Sequence, residues 1–183
     1  MHRRQTLLLL SAGMVGMTSA GSLVFVGSNR GTEGAIAQMT GSSGTLLGLP
    51  KSTGEYEIVR TEKEWRDLLT TKEFRILRQE KTERAGSSPL DKLYDAGTYH
   101  CAGCDLPVYS SEHKFDSGTG WPSWYQARPD AIRVKEDRSL FGLRTEVHCR
   151  RCGGHFGHVF NDGPKPTGLR HCINGIALYF VAA

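Results

Sequence analysis

The chain has 183 residues, 38% of them apolar and 23% charged, with a formal net charge of +4. That length holds one domain of ordinary size plus a leader, and the composition excludes a disordered or wholly membrane-embedded chain. Arg3, Arg4 and Arg30 against Glu33 carry +2 of the charge. The remainder is nearly balanced and mixed in sign, which argues against nucleic acid as a partner.

The first elements in chain order are a targeting segment and a linker. Arg3-Arg4 precedes Leu7-Leu8-Leu9-Leu10, and no charge follows until after Val26. A polar stretch then leads to Ala35-Ile36-Ala37, a small-x-small pattern, so residues 1–37 read as an export signal cut before Gln38. The segment resembles a twin-arginine leader, although Thr6 stands where phenylalanine is usual. The rival is an uncleaved anchor, since about 20 apolar residues can just span a bilayer. High Gly and Ser content and the cut site favour cleavage. The expected location is outside the cytoplasm, in a periplasm or thylakoid lumen, or at the membrane if the leader is retained. Residues 38–54, rich in Gly, Ser and Thr, read as a flexible linker, leaving 55–183 as the folded domain.

From Thr61 the pattern becomes helical. Thr61-Glu62-Lys63-Glu64 is a capping box, with Trp65, Leu68 and Leu69 at helical spacing. Thr71 can cap a second short helix carrying Phe74 and Leu77, and Ser88-Pro89 can open a further turn. After Gly97 come short runs separated by Gly, Pro, Asp or Asn: Thr98–Cys101, Pro107–Ser110, Ile132–Val134, Leu140–Leu143, Thr145–Arg150, His155–Phe160 and Cys172–Val181. These read as strands of a small antiparallel body with helices on its N-terminal side. The fold class is therefore mainly β (α+β).

Five cysteines are present. Cys101-Ala102-Gly103-Cys104 and Cys149-Arg150-Arg151-Cys152 are two CxxC knuckles, able to place four thiolates around one structural, tetrahedral Zn²⁺. Disulfides remain the alternative in an exported protein. Cys172 is left over, before a mostly apolar run. Arg170 and His171 precede it and Asn174 follows on the same strand face; positive neighbours lower a thiol pKa and favour the reactive thiolate.

His155-Phe156-Gly157-His158 sets two imidazoles three residues apart, facing opposite ways on a regular strand unless Gly157 marks a bulge. Proton transfer, metal ligation and plain surface exposure are all open for this pair. Gly120-Trp121-Pro122-Ser123-Trp124 is a rigid apolar corner, either core or a pocket for a thioether-like group.

Taken together, these segments resemble the B-type methionine sulfoxide reductases, which carry two CxxC knuckles, a GWPS corner, an HxGHVF segment and a terminal R-x-C-x-N. The likeness runs from about Trp65 to Phe180 and includes Lys81-Thr82-Glu83-Arg84 and Phe115-Asp116-Ser117-Gly118. It implies two small antiparallel sheets, a zinc remote from the active site and reduction of methionine R-sulfoxide, free or in oxidised proteins and peptides, as protein repair. It further implies Cys172 as nucleophile, His155, His158 and Asn174 around the sulfoxide oxygen, Trp121 against the methyl group, and Arg170 and Asp162 in electrostatic support. Many members place a resolving cysteine where this chain has Thr119. With four thiols on zinc, an external thiol, thioredoxin-like or small, is the expected reductant of a Cys172 sulfenic acid. The chain is expected to act as a monomer. The rival is a non-catalytic, zinc-stabilised binding module of the same fold, against which Cys172 and the histidine pair argue.

Overall fold

In the computed structural model, which describes residues 47–139 and 142–183, two short helices come first. In α1 (Glu62–Leu68) the Thr61 hydroxyl accepts from the Glu64 N–H, and the Glu64 carboxylate accepts from the Thr61 N–H at 2.7 Å. In α2 (Thr71–Gln79) Thr70 and Glu73 repeat the device. The cap is Thr70 and not Thr71, because only Thr70 has a glutamate three residues on. Trp65, Leu69, Phe74 and Leu77 are buried, whereas Leu68 stays 55% exposed because Leu69 takes the core-facing place. At Ser88-Pro89 the chain makes a turn, with the Leu90 N–H donating to the Ser88 hydroxyl. The expected leader and residues 38–46 of the expected linker lie outside the described residues. Further on in that linker, the Ser52 N–H donates to the Val134 carbonyl and the Val134 N–H to the Pro50 carbonyl, both at 2.9 Å.

Nine strands among the described residues make two antiparallel sheets. The smaller has the order β2-β1-β9, from β1 (Gly97–Cys101), β2 (Pro107–Ser110) and β9 (Leu178–Ala182). The larger has the order β3-β4-β8-β7-β6-β5, from β3 (Lys114–Phe115), β4 (Ser123–Trp124), β5 (Ile132–Ser139), β6 (Gly142–Cys149), β7 (His155–Phe160) and β8 (Arg170–Ile173). The sheets meet over fully buried aromatics: Tyr109 of β2 stacks on Trp124 of β4 at 4.6 Å, and Tyr99 of β1 meets the same ring edge-on at 4.8 Å. Such a cluster adds roughly 0.5–1.5 kcal/mol per ring pair beyond its area term.

The main departure from the sequence pattern is the run Cys172–Val181. It forms two strands, β8 and β9, which belong to different sheets. The break falls at a single 3₁₀ turn, Gly175–Ala177, whose Gly175 and Ile176 N–H groups donate to the buried Glu83 carboxylate at 2.6 and 3.2 Å. An apolar run long enough for one strand is thus divided by a carboxylate from a distant segment. β3 and β4 have no counterpart in the sequence pattern because two-residue strands carry no alternation. β6 joins most of the runs expected at Leu140–Leu143 and Thr145–Arg150; Leu140 and Phe141 lie outside the described residues.

β7 contains the expected bulge. Val147 pairs with Gly157 but His148 with His155, so Phe156 is the extra residue and His155 and His158 fall on one face. Gly157 is needed for a second reason: a Cβ there would lie 2.1 Å from the Cys172 carbonyl oxygen of β8. Gly157→Ala must therefore push β7 and β8 apart. It should lower unfolding stability by about 2–3 kcal/mol, read as a lower urea midpoint with an unchanged slope. An unshifted midpoint would refute the close approach.

Candidate active site and metal centre

The two CxxC knuckles share one local geometry. In each, the N–H of the residue four after the first cysteine donates back to that cysteine's carbonyl, Asp105 to Cys101 at 2.9 Å and Gly153 to Cys149 at 3.0 Å. Both Asp105 (φ 63) and Gly153 (φ 68) are left-handed. At Gly153 any Cβ would also strike the Tyr56 ring, at 2.6 Å, so glycine is required twice over.

Cys101 closes β1 and Cys149 closes β6, so the knuckles bring one end of each sheet together. Their four Sγ atoms lie within 4.8 Å of one another, with Cys101 3.8 Å from Cys152 and Cys104 3.5 Å from Cys149. A tetrahedral ion with metal–sulfur bonds of about 2.3 Å has sulfur–sulfur edges of about 3.8 Å. The spacing and softness of the donors fit such an ion, and no two of the sulfurs stand at a disulfide's bond length.

The fifth cysteine sits elsewhere. Cys172 lines a pocket of about 150 Å³ together with Thr82, Trp121, Arg144, Gly157, His158, Phe160 and Asn174; none of the four clustered cysteines does. Sheet register explains the gathering. Ser123 of β4 pairs with Cys172 of β8, Cys172 with His158 of β7, His158 with Glu146 of β6, and Glu146 with Lys135 of β5. Directly opposed residues share a face, so one transverse row of the larger sheet carries hydroxyl, thiol, imidazole, carboxylate and ammonium in sequence.

Each histidine is backed by a carboxylate. His155 Nδ1 lies 2.9 Å from Glu146 Oε1, and His158 Nε2 lies 2.7 Å from Asp137 Oδ2. A carboxylate only accepts, so these ring nitrogens carry the protons. Each carboxylate is in turn balanced by a cation: Lys135 Nζ is 2.9 Å from Glu146, and Arg144 is 2.7 Å from Asp137. Burial works to raise both carboxyl pKa values, yet these partners hold Glu146 and Asp137 below the usual range. Burial also lowers the His158 pKa, against the pull of Asp137. His158 reaches the pocket. His155 lies behind it, its ring centroid 5.5 Å away and its Nε2 buried without a hydrogen bond.

The electrostatics at Cys172 differ from the sequence expectation. Burial raises its thiol pKa, outweighing the Arg170 guanidinium and the Thr119 hydroxyl, which pull it down. His171 is no positive neighbour. Its side chain faces the opposite side, bonded through Nδ1 to Tyr109, and burial lowers its pKa to about 4. Arg170 is held by Asp162 in a two-point pair at 2.8 and 2.9 Å and lies 4.4 Å from the centre of the Phe160 ring, which walls the pocket. Thr119 shares a 2.8 Å hydrogen bond with Ser117, and Ser117 another of 2.8 Å with Ser123.

Asn174 lines the pocket, but its amide is engaged on both sides: it donates to the Phe156 carbonyl at 2.9 Å and accepts from the Glu83 N–H at 2.9 Å. The Trp121 indole donates to the Glu83 carbonyl at 3.2 Å. Glu83 therefore braces Asn174 and Trp121 together. Of the residues expected here, Cys172, His158, Asn174 and Trp121 meet in the pocket; His155, Arg170 and Asp162 stand just outside it. Sequence reasoning assigns no role to Glu83, Asp137, Arg144 or Glu146. A carboxylate inside the strand-like run Thr145–Arg150, beside Val147, is the one available signal.

Comparison with known proteins agrees with this geometry. The SelR domain model matches residues 69–182. Peptide methionine sulfoxide reductase MsrB of Leptospira interrogans is 50% identical over 126 residues, covering 68% of this chain and 96% of that protein. The protein of the same name from Methanosarcina barkeri is 49% identical, covering 67% and 87%. Peptide methionine sulfoxide reductase B6 of Arabidopsis thaliana is 48% identical, covering 69% and 82%. With a thiol-lined pocket, a four-cysteine cluster and likeness over nearly the full length of such relatives, the chain belongs to the peptide methionine sulfoxide reductase B family.

Proposed function

We propose that this chain reduces the R epimer of methionine sulfoxide, free or in oxidised proteins and peptides, with Cys172 as nucleophile and an external thiol as final reductant. The observation that carries the reading is the row Cys172–His158–Glu146 opening into a pocket walled by Trp121 and Phe160. The sulfoxide methyl group packs against Trp121, and the oxygen points to His158. Because burial favours the neutral forms of both Cys172 and His158, the resting pair is thiol and imidazole. On attack, the thiol proton passes by way of His158 to the sulfoxide oxygen. The oxygen is transferred to Cys172: the sulfoxide becomes methionine and the thiol becomes a sulfenic acid, with no proton gained or lost overall. One external thiol then condenses with the sulfenic acid, releasing water and leaving a mixed disulfide. A second thiol frees Cys172. Asn174, Arg170 and Asp162 keep the pocket in shape. Cys101, Cys104, Cys149 and Cys152 hold one structural Zn²⁺, remote from the pocket.

The purified chain with dithiothreitol should turn over the R epimer and leave the S epimer untouched; the reverse preference would overturn the reading. Cys172→Ser should lose all turnover with its fold retained, and single-turnover oxidation of the native chain should leave Cys172 reactive to dimedone.

Asp137→Asn tests the carboxylate behind His158. Asp137 favours protonated His158 while burial favours the neutral ring, so its loss lowers the His158 pKa further. The limb of kcat/KM that reports loss of that proton should move to lower pH. At neutral pH, on the plateau, the less basic imidazole takes the thiol proton less readily, so the rate should fall by up to about tenfold for each pH unit that the limb moves. An unmoved limb would remove His158 from proton transfer.

Metal analysis should find one zinc per chain. Cys101→Ser should release it and lower stability of the whole fold, because binding and folding are linked. A metal-free native chain of undiminished stability would exclude the structural role.

A further inference from the structure

The pocket holding Cys172 shares its Thr82 rim with a second depression lined by Lys72, Arg75, Ile76, Lys81, Glu83 and Ile176. Elsewhere on the surface most cations are matched, as in Lys63–Asp67, Arg66–Glu62 and Lys135–Glu80. Here they are not. Lys72, Arg75 and Lys81 are exposed, and among the described residues none of their side chains makes a hydrogen bond or ion pair. Arg84, two residues past Thr82, is equally unmatched. The one carboxylate in the depression cannot answer them, because Glu83 is turned inward onto the Gly175 and Ile176 N–H groups. Lys72 and Arg75 are three apart on α2 and so lie on one face, with Lys81 just past the helix's left-handed end at Glu80.

From this arrangement we propose that the depression receives the polypeptide flanking the methionine sulfoxide and selects for acidic residues there. A substrate whose oxidised side chain fills the Cys172 pocket must run its backbone across the rim. Extended chain advances about 3.3 Å per residue, so side chains two or three residues away reach about 7–10 Å along it. The Thr82 rim leads directly into the unmatched cations, and the apolar Ile76 and Ile176 give the segment a floor. An Asp or Glu at those flanking places supplies the counter-charge the protein lacks. Exposed pairs are individually weak, so the preference is one of several-fold and sensitive to salt.

The proposal rests on the reductase reading, and its test separates the two. The probes are blocked heptapeptides with a central methionine R-sulfoxide flanked by Glu, Ala or Lys, beside N-acetylmethionine R-sulfoxide amide, which has no flanks. Dithiothreitol is the reductant throughout. At low ionic strength kcat/KM for the Glu peptide should exceed that for the Ala peptide by about fivefold, with the Lys peptide below both. The spread should collapse at about 0.5 M salt. Combined Lys72→Gln, Arg75→Gln and Lys81→Gln should abolish the spread while leaving the unflanked substrate within about twofold of native, since glutamine suits exposed helix positions. Equal rates for the three peptides, or a loss shared by the unflanked substrate, would overturn the proposal. So would an effect of the variant seen only when a protein reductant replaces dithiothreitol, because the face would then belong to that reductant. No turnover of the unflanked substrate would instead count against the reductase reading.

Discussion

The site depends on where β8 stops. Glu83, buried near the bottom of the N-terminal segment, accepts the Gly175 and Ile176 N–H groups on its carboxylate, donates its own N–H to Asn174 and offers its carbonyl to Trp121. Four bonds from one residue thus fix the turn at which the chain leaves the larger sheet and enters the smaller. Burial raises the carboxyl's pKa, and the two N–H donors offset part of that cost. A buried carboxylate left without those donors would be too costly to keep. With the turn fixed, Cys172 is held three residues upstream of Gly175 and opposite His158, and Asn174 is drawn across to the Phe156 carbonyl that the β7 bulge presents. A one-residue slip in this register would send Cys172 to the other face of the sheet.

The second constraint is charge. Around His155 and His158, Glu146 and Asp137 are each paired with a cation, Lys135 or Arg144, and each of the two rings touches one carboxylate. Glu146 is the buried member of the four, and unpaired it would be destabilising by several kcal/mol. Paired, they set the orientation of both imidazoles by fixing which nitrogen carries hydrogen. His158 thereby directs its Nδ1 edge away from Asp137, while His155 acts on the pocket only through its neighbour. Burial makes Cys172 costly to ionise, and on the proposed chemistry His158, opposite it in register, takes its proton.

Much of this is legible in the sequence, wherever the governing interaction is local. The capping box at Thr61, the two CxxC knuckles, the β7 bulge at Gly157 and the GWPS corner all declare themselves within a few residues. What stays hidden depends on long-range register. The division of Cys172–Val181 between two sheets needs a carboxylate roughly ninety positions upstream. The carboxylates behind the histidines come from β5 and β6, and no spacing rule joins Asp137 to His158. The direction in which the Cys172 pKa moves is hidden for the same reason. Adjacency in sequence makes His171 look like a cation beside the thiol, whereas strand alternation turns it into the opposite layer.

Thr119 joins these themes. Its hydroxyl sits in a chain of hydroxyls with Ser117 and Ser123 and within reach of the Cys172 sulfur, which it helps to ionise. A hydroxyl can donate to a thiolate but cannot form a disulfide with it. The remaining four thiols are gathered where the ends of β1 and β6 meet, and none lines the pocket. On the proposed chemistry the oxidised sulfur therefore has no internal partner, and the second half of the cycle must enter through the opening that admits the first. Substrate and reductant would reach Cys172 through the same pocket of about 150 Å³. On that chemistry methionine leaves before the thiol arrives, so the two half-reactions follow one another. With Thr119 and not a second thiol beside Cys172, the later step falls, on the proposed chemistry, to an external thiol, and the four clustered cysteines take no part in it.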